Sequence, residues 1–147
     1  MIEIKRANLS HLTKLHELFE QYREFYLMQR QPEKSLEFLR KRLEKQDSVI
    51  LLAFNQQDLA GFVQIYPAFT SVAMQPLWIL NDLFVTQVQR QQGVARQLMT
   101  QVESLARKQG IFSIKLATQV NNAYAKKLYE SLDYRLIDQF DHYSKKI

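Results

Sequence analysis

Seven residues past the middle of the chain, Arg90-Gln91-Gln92-Gly93-Val94-Ala95-Arg96, have the types and spacing to hold an anion. They stand between an apolar run, residues 77–85, and a stretch of helical periodicity. A turn at such a junction aims backbone N–H groups at a ligand, and the helix start adds partial positive charge. Gly93 admits a phosphate without a Cβ in the way, and Ala95 keeps the next step small. Arg90 and Arg96 flank the turn and can reach the same diphosphate or a separate phosphate. Alone, the R-x-x-G-x-A string is a weak signal. Just upstream, Asn81 and Asp82 interrupt the apolar run. Asp82 is the nearest carboxylate for binding an ammonium or for helping to remove its proton through water. Its plainer alternative is a strand-end charge paired with a nearby lysine or arginine.

Composition narrows the ligand. Lysine and arginine outnumber aspartate and glutamate by 20 to 15 in 147 residues, a net +5 that suits a phosphorylated cofactor or a nucleic acid. The basic residues are scattered, and no clustered basic face with stacking aromatics marks a nucleic-acid binder. Without cysteine there is no disulfide framework, thiolate metal site or cysteine nucleophile. His11 and His16, five apart, point to different faces of a helix, so no metal is expected. Charges break up the apolar residues of MIEIKRANLS, and nowhere do eighteen apolar residues run together. No signal peptide, no membrane span and a cytoplasmic location are the expectation.

The elements that must position these residues follow from periodicity. Residues 2–6 alternate apolar and charged types and predict a first strand. Asn8 and Ser10 are cap-type residues before a helix whose stripe, Leu12, Leu15, Leu18, Phe19, Tyr22, Phe25 and Tyr26, runs to about Met28. A second helix opens near Pro32, buries Leu36, Leu39 and Leu43, and ends near Gln46. SVILLAF and LAGFVQIY, flanking NQQD, predict a hairpin, and PAFTSVAMQP between Pro67 and Pro76 predicts a loop. A strand over 77–85, a helix over 93–108, a strand over 112–118 and a helix over 122–132 complete the order, with one or two final strands over 134–146. The expectation is a single domain, 1–147, of α/β (α+β) type. Its mixed, mostly antiparallel central sheet has six or seven strands flanked by about four helices.

In that context the anion turn gains weight. Arg90-Gln91-Gln92-Gly93-Val94-Ala95 resembles the Q/R-x-x-G-x-G/A pyrophosphate loop of the GNAT N-acetyltransferases, and it lies where that family places it, between the fourth strand and the third helix. Asn122, Ala125, Leu128 and Tyr129 in NNAYAKKLYESLDY are similar to the family's N-x-x-A-x-x-L-Y helix beside the pantetheine arm. The resemblance covers nearly the whole chain. It implies the GNAT (acyl-CoA N-acyltransferase) fold, acetyl-CoA as co-substrate, and Phe84, Val85, Arg90 through Arg96, Asn122 and Tyr129 as cofactor-binding residues. Two departures stand out. Leu132-Asp133-Tyr134 replaces the usual glycine-containing end of the last helix, a position where aspartate tolerates a left-handed backbone. The strand face read by alternation as Ile79, Asn81, Leu83 and Val85 lacks the glutamate base that some members carry.

Acetyl transfer to an amine requires a neutral amine, a stabilised oxyanion and a proton for the departing thiolate. The resemblance implies the Val85 N–H for the oxyanion and Tyr129 for the proton, since a phenol of ordinary pKa, about 10, is protonated at neutral pH. Asp82 and Asn81 complete the expected catalytic set. Tyr22, Phe25 and Tyr26 can line an amine site through their ring faces, or serve as core. The pattern WILNDLFV followed by the loop is similar to members that acetylate polyamines, thialysine or related free amines, and many relatives are dimers. The expected function is transfer of acetyl to a small cationic amine in a ternary complex. The alternatives are a protein amino-terminal or lysine acetyltransferase, and a basic module that binds acetyl-CoA or nucleic acid without turnover.

Overall fold

The alternation at the amino terminus forms β1, Ile2–Arg6. Asn8 then turns the chain: its side chain accepts the Ser10 N–H at 2.9 Å, while His11 Nδ1 accepts the Asn8 N–H at 3.0 Å. This reciprocal cap satisfies donors that a helix start leaves open, and a short 3-10 turn passes into α1, Leu12–Phe25. The helix stops short of the predicted Met28 because Leu27 takes a left-handed φ of 57°. Pro32 opens α2, Pro32–Lys45, at the position where its missing N–H costs nothing. The computed structural model describes all 147 residues, Met1–Ile147.

The sheet has five strands in the order β1-β2-β3-β4-β5, with β2 at Val49–Asn55, β3 at Asp58–Thr70, β4 at Gln75–Val85 and β5 at Ile114–Leu116. The first four pair antiparallel, and β5 joins β4 in parallel after α3, Val94–Lys108. One sheet face carries Ile50, Leu52, Phe54, Phe62 and Phe84, which pack on Leu15, Leu18 and Phe19 of α1 and Leu39 of α2. Each such side chain, fully buried, contributes about 1.5–3 kcal/mol of transfer free energy. The opposite face meets α3, whose Val94, Leu98, Val102 and Ala106 recur every fourth residue and are buried. These elements make one compact unit, Met1–Ala117, and Thr118–Ile147 makes a second, containing α4, Ala123–Ser131.

Three expectations are corrected. The predicted loop between Pro67 and Pro76 is strand apart from a turn over 71–74: β3 and β4 run on as a paired arm, with Pro67 opposite Trp78 and Phe69 opposite Pro76. Beyond Ile65, β3 pairs only with β4, so a residue without an N–H is tolerated on the unpaired side. The sheet has five strands rather than six or seven, because residues 134–147 form no regular structure. Alternation there supplied one apolar edge but no ladder partner, and Leu136, Phe140, Tyr143 and Ile147 are exposed. The strand predicted over 112–118 is confined to Ile114–Leu116.

Gly61 of β3 sets the approach of strand to helix. A Cβ there would lie 2.8 Å from the Phe84 carbonyl oxygen, 3.2 Å from Val85 Cγ2 and 3.3 Å from Val94 Cγ1. Backbone on one side and the start of α3 on the other leave no flexible atom to yield fully. Gly61→Ala should therefore lower stability by about 1–3 kcal/mol, measured by urea denaturation, and weaken cofactor binding by displacing Val94. An unchanged midpoint would show that the contact relaxes freely.

Candidate active site

The residues with chemical potential in the first unit converge on β4. Its ladder with β3 is interrupted: Gln64 faces Asp82 and Ile65 faces Leu80, leaving Asn81 as an extra residue. This is a β-bulge, and it shifts the alternation. Residues directly opposite across a ladder share a face. Tyr66 with Ile79, Gln64 with Asp82 and Phe62 with Phe84 therefore point toward α1 and α2, while Ile65 with Leu80 and Val63 with Leu83 point toward α3. The single face read from sequence as Ile79, Asn81, Leu83 and Val85 is thus divided by the bulge.

Asp82 is only 6% exposed, yet its carboxylate has three donors. Tyr22 Oη donates to Oδ1 at 2.7 Å, Asn81 Nδ2 donates to Oδ1 at 3.0 Å, and Gln64 Nε2 donates to Oδ2 at 2.9 Å. None of the three is a cation, and the alternative reading of Asp82 as a strand-end charge paired with lysine or arginine is not what the structure shows. Hydrogen bonds to an ionised acceptor contribute about 1.5–3 kcal/mol each, which is what allows a carboxylate to sit in an apolar layer. Behind Gln64, Ser48 Oγ donates to Gln64 Oε1 at 3.0 Å.

Aromatic rings gather around Tyr22, the phenol that donates to this carboxylate. Tyr22 lies 5.1 Å from Tyr26, 5.6 Å from Phe62 and 5.8 Å from Phe84, all edge-on. Burial, then the Asp82 charge and hydrogen bond, raise the Tyr22 phenol well above its ordinary range. The Tyr66 phenol is pushed up to about 12, by burial first and the Asp82 charge second, against a smaller opposite pull from Arg42. Both phenols stay neutral donors at physiological pH. Of the aromatic stripe on α1, Tyr22 reaches Asp82, whereas Phe25 is 47% exposed.

The anion turn follows β4 and a 3-10 turn at Gln87–Gln89. Gln91 and Gly93 take left-handed φ of 62° and 77°, alternations that gather N–H groups into a concave nest. The N–H groups that open α3 have no intrahelical acceptors, Gly93 has no side chain with which to cap them, and no acidic residue lies in the first turn. A Cβ at Gly93 would meet nothing within 4 Å, so the space over the turn is open to a ligand. These features fit a diphosphate. Arg90 is turned back instead: its Nε donates to the Val85 carbonyl at 3.0 Å, and its guanidinium lies over Phe25 and Phe84 at 5.5 and 5.4 Å.

In the second unit, Asn122 caps α4 by accepting the Ala125 N–H at 3.1 Å, and the Tyr129 ring lies 6.2 Å from that of Tyr134. Asp133 has a φ of 67°, the left-handed backbone expected where relatives have glycine. Sequence reasoning missed Gln64, Ser48 and Tyr66. The one available signal was Gln64 itself, a polar residue inside the apolar run LAGFVQIY. It also passed over a buried cluster between α1 and α2, where His16 and Glu20 both hydrogen-bond Ser35.

Comparison with known proteins agrees with this geometry. The family model described as the acetyltransferase (GNAT) family matches residues 14–134. An N-acetyltransferase of Bacillus subtilis named YhfO, itself uncharacterised, is 37% identical over 97% of this chain and 95% of its own length. A thialysine N-epsilon-acetyltransferase of Caenorhabditis elegans is 30% identical over 90% of this chain and 82% of its own. The crystal structure of a probable acetyltransferase superposes with a TM-score of 0.93 at 41% identity, covering 99% of this chain and 97% of that one. With the loop, the strand before it and the family match in agreement, the chain belongs to the GNAT acetyltransferase family and is an acetyl-CoA-dependent N-acetyltransferase.

Proposed function

We propose that the acceptor is a small cationic amine with a second positive group, and that Asp82 holds its distal ammonium. The observation that carries this reading is a buried carboxylate served by neutral donors alone, bordered by Tyr22 and Tyr66. A buried anion without a cation gains most from a ligand that brings one, and aromatic faces favour the same charge. The thialysine N-epsilon-acetyltransferase among the relatives points the same way.

The remaining roles are proposals carried by the family motifs. N–H groups from Gln91 to Ala95, with Gln92 between the two left-handed residues, hold the diphosphate, and Arg96 and Asn122 contribute to the cofactor site. The strand end at Phe84 and Val85 borders the thioester, whose acetyl carbonyl the Val85 N–H receives. Tyr129 gives a proton to the leaving sulfur, Asn81 keeps Asp82 oriented, and the reacting amine loses its proton to water. Residues 1–147 act as one acetyltransferase domain, a reading supported by a family match that runs through both compact units.

Asp82→Asn tests the acceptor assignment. Its KM for a diamine should rise on the order of 10- to 100-fold, with a much smaller rise for a mono-amine of similar length, because one partly buried charge contact is lost. A variant that treats all amines as before, or an amine panel in which only protein amino termini react, would overturn it.

A further inference from the structure

We infer that Gln64 is the positioning residue for Asp82, with Ser48 fixing which end of the Gln64 amide faces it. The inference rests on the reading that Asp82 receives an ammonium. Gln64 stands in the centre of β3, fully buried, between Val63 and Ile65, which are equally buried. A glutamine there is costly unless both ends of its amide are satisfied, and both are.

The amide's two ends have nearly the same shape, so partners decide its orientation. An ionised carboxylate only accepts, and therefore takes the NH₂ end. The opposite orientation would set the Gln64 carbonyl against the Asp82 oxygens. Ser48, itself 7% exposed, donates its hydroxyl to the carbonyl end and holds the productive arrangement. Three elements thus restrain one carboxylate: β3 through Gln64 on Oδ2, α1 through Tyr22 and the bulge through Asn81 on Oδ1. Of the three, Gln64 alone reaches Oδ2. The restraint matters because Asp82 follows the bulged residue, where the ladder is locally disrupted.

The test compares Gln64→Leu, Gln64→Glu and Asp82→Asn in steady-state assays with a diamine and a mono-amine of matched length. In Gln64→Leu, Oδ2 stays buried but loses its donor, so diamine KM should rise about tenfold. Its mono-amine KM, kcat and acetyl-CoA affinity should hold. Gln64→Glu should restore the diamine KM at neutral pH. Two carboxyl groups in contact keep one proton between them, and that proton gives Asp82 a donor again. A residue that merely supports the fold would depress both amines together and would not be rescued by an added carboxyl. Equal effects on both amines in Gln64→Leu, no effect on either, or failure of Gln64→Glu to restore the diamine KM overturns the inference while leaving the acceptor assignment standing. Loss of discrimination must also appear in Asp82→Asn, and its absence there sinks both. Should Gln64→Leu not fold, Ser48→Ala decides: a smaller rise confined to the diamine supports the inference, and an unchanged diamine KM ends it.

Discussion

A Gly93→Val enzyme will fold but bind acetyl-CoA on the order of 100-fold more weakly, as two losses of about 1.5 kcal/mol each combine. The first is conformational. Gly93 has a φ of 77°, and an L-residue there costs about 1–2 kcal/mol, most for a β-branched one. Without ligand, valine relieves that cost by rotating the turn out of the left-handed region, so cofactor binding has to restore the strained turn and bear the cost. The second loss is steric: in the restored turn a branched side chain stands in the open space over Gly93 and weakens the contact of a diphosphate with the N–H groups at the start of α3. A side chain at this position would clash with nothing in the protein, since no atom lies within 4 Å of the ideal Cβ. The helix keeps its first internal hydrogen bond, from the Gln97 N–H to the Gly93 carbonyl at 3.0 Å, because that carbonyl remains. Calorimetric titration with acetyl-CoA beside a thermal melt separates the effects. Native affinity in the variant would refute the phosphate cradle.

The second large effect belongs to Tyr129. Tyr129→Phe removes one hydroxyl and keeps the ring that lies 6.2 Å from Tyr134, at an interplanar angle of 61°. The ring contact in the second unit should persist, and the variant should fold. If the phenol protonates the departing thiolate, the rate of thiol release at saturating substrates will fall about 100-fold or more. Affinity for acetyl-CoA should change little, because the hydroxyl acts on charge that develops only during transfer. A rate within a few-fold of native would mean that the thiolate leaves unaided and that Tyr129 is structural.

The features legible in the sequence were those specified locally. Gly93 and the helix start are neighbours in the chain, so the turn could be read directly, and Asp133 in the left-handed region follows from its place at a helix end. The hairpin arm was misread because prolines signal loops only where both strand edges are needed; Pro67 lies where one edge is unpaired. The final segment was misread for the converse reason, since alternation cannot supply a partner strand. The Asp82 network was invisible because its members come from positions 22, 48, 64, 81 and 82. Only the ladder register brings Gln64 opposite Asp82, and a one-residue slip would separate them.

The extra residue at Asn81 acts as a phase shift in the strand. Upstream of it, even-numbered Trp78 and Leu80 supply the α3 layer; downstream, odd-numbered Leu83 and Val85 resume the same layer. The apolar row facing α3 continues unbroken past the carboxylate, while Asp82 takes its place in the row facing α1 and α2. Deleting Asn81 would therefore do more than remove an amide: it would force one half of β4 to turn its layers inside out relative to the other. Substitutions at this position are a matter of chemistry, whereas its length is a matter of folding. A change of side chain at 81 alters how Asp82 is held, but the count of residues between Leu80 and Asp82 is held by the packing on both sides.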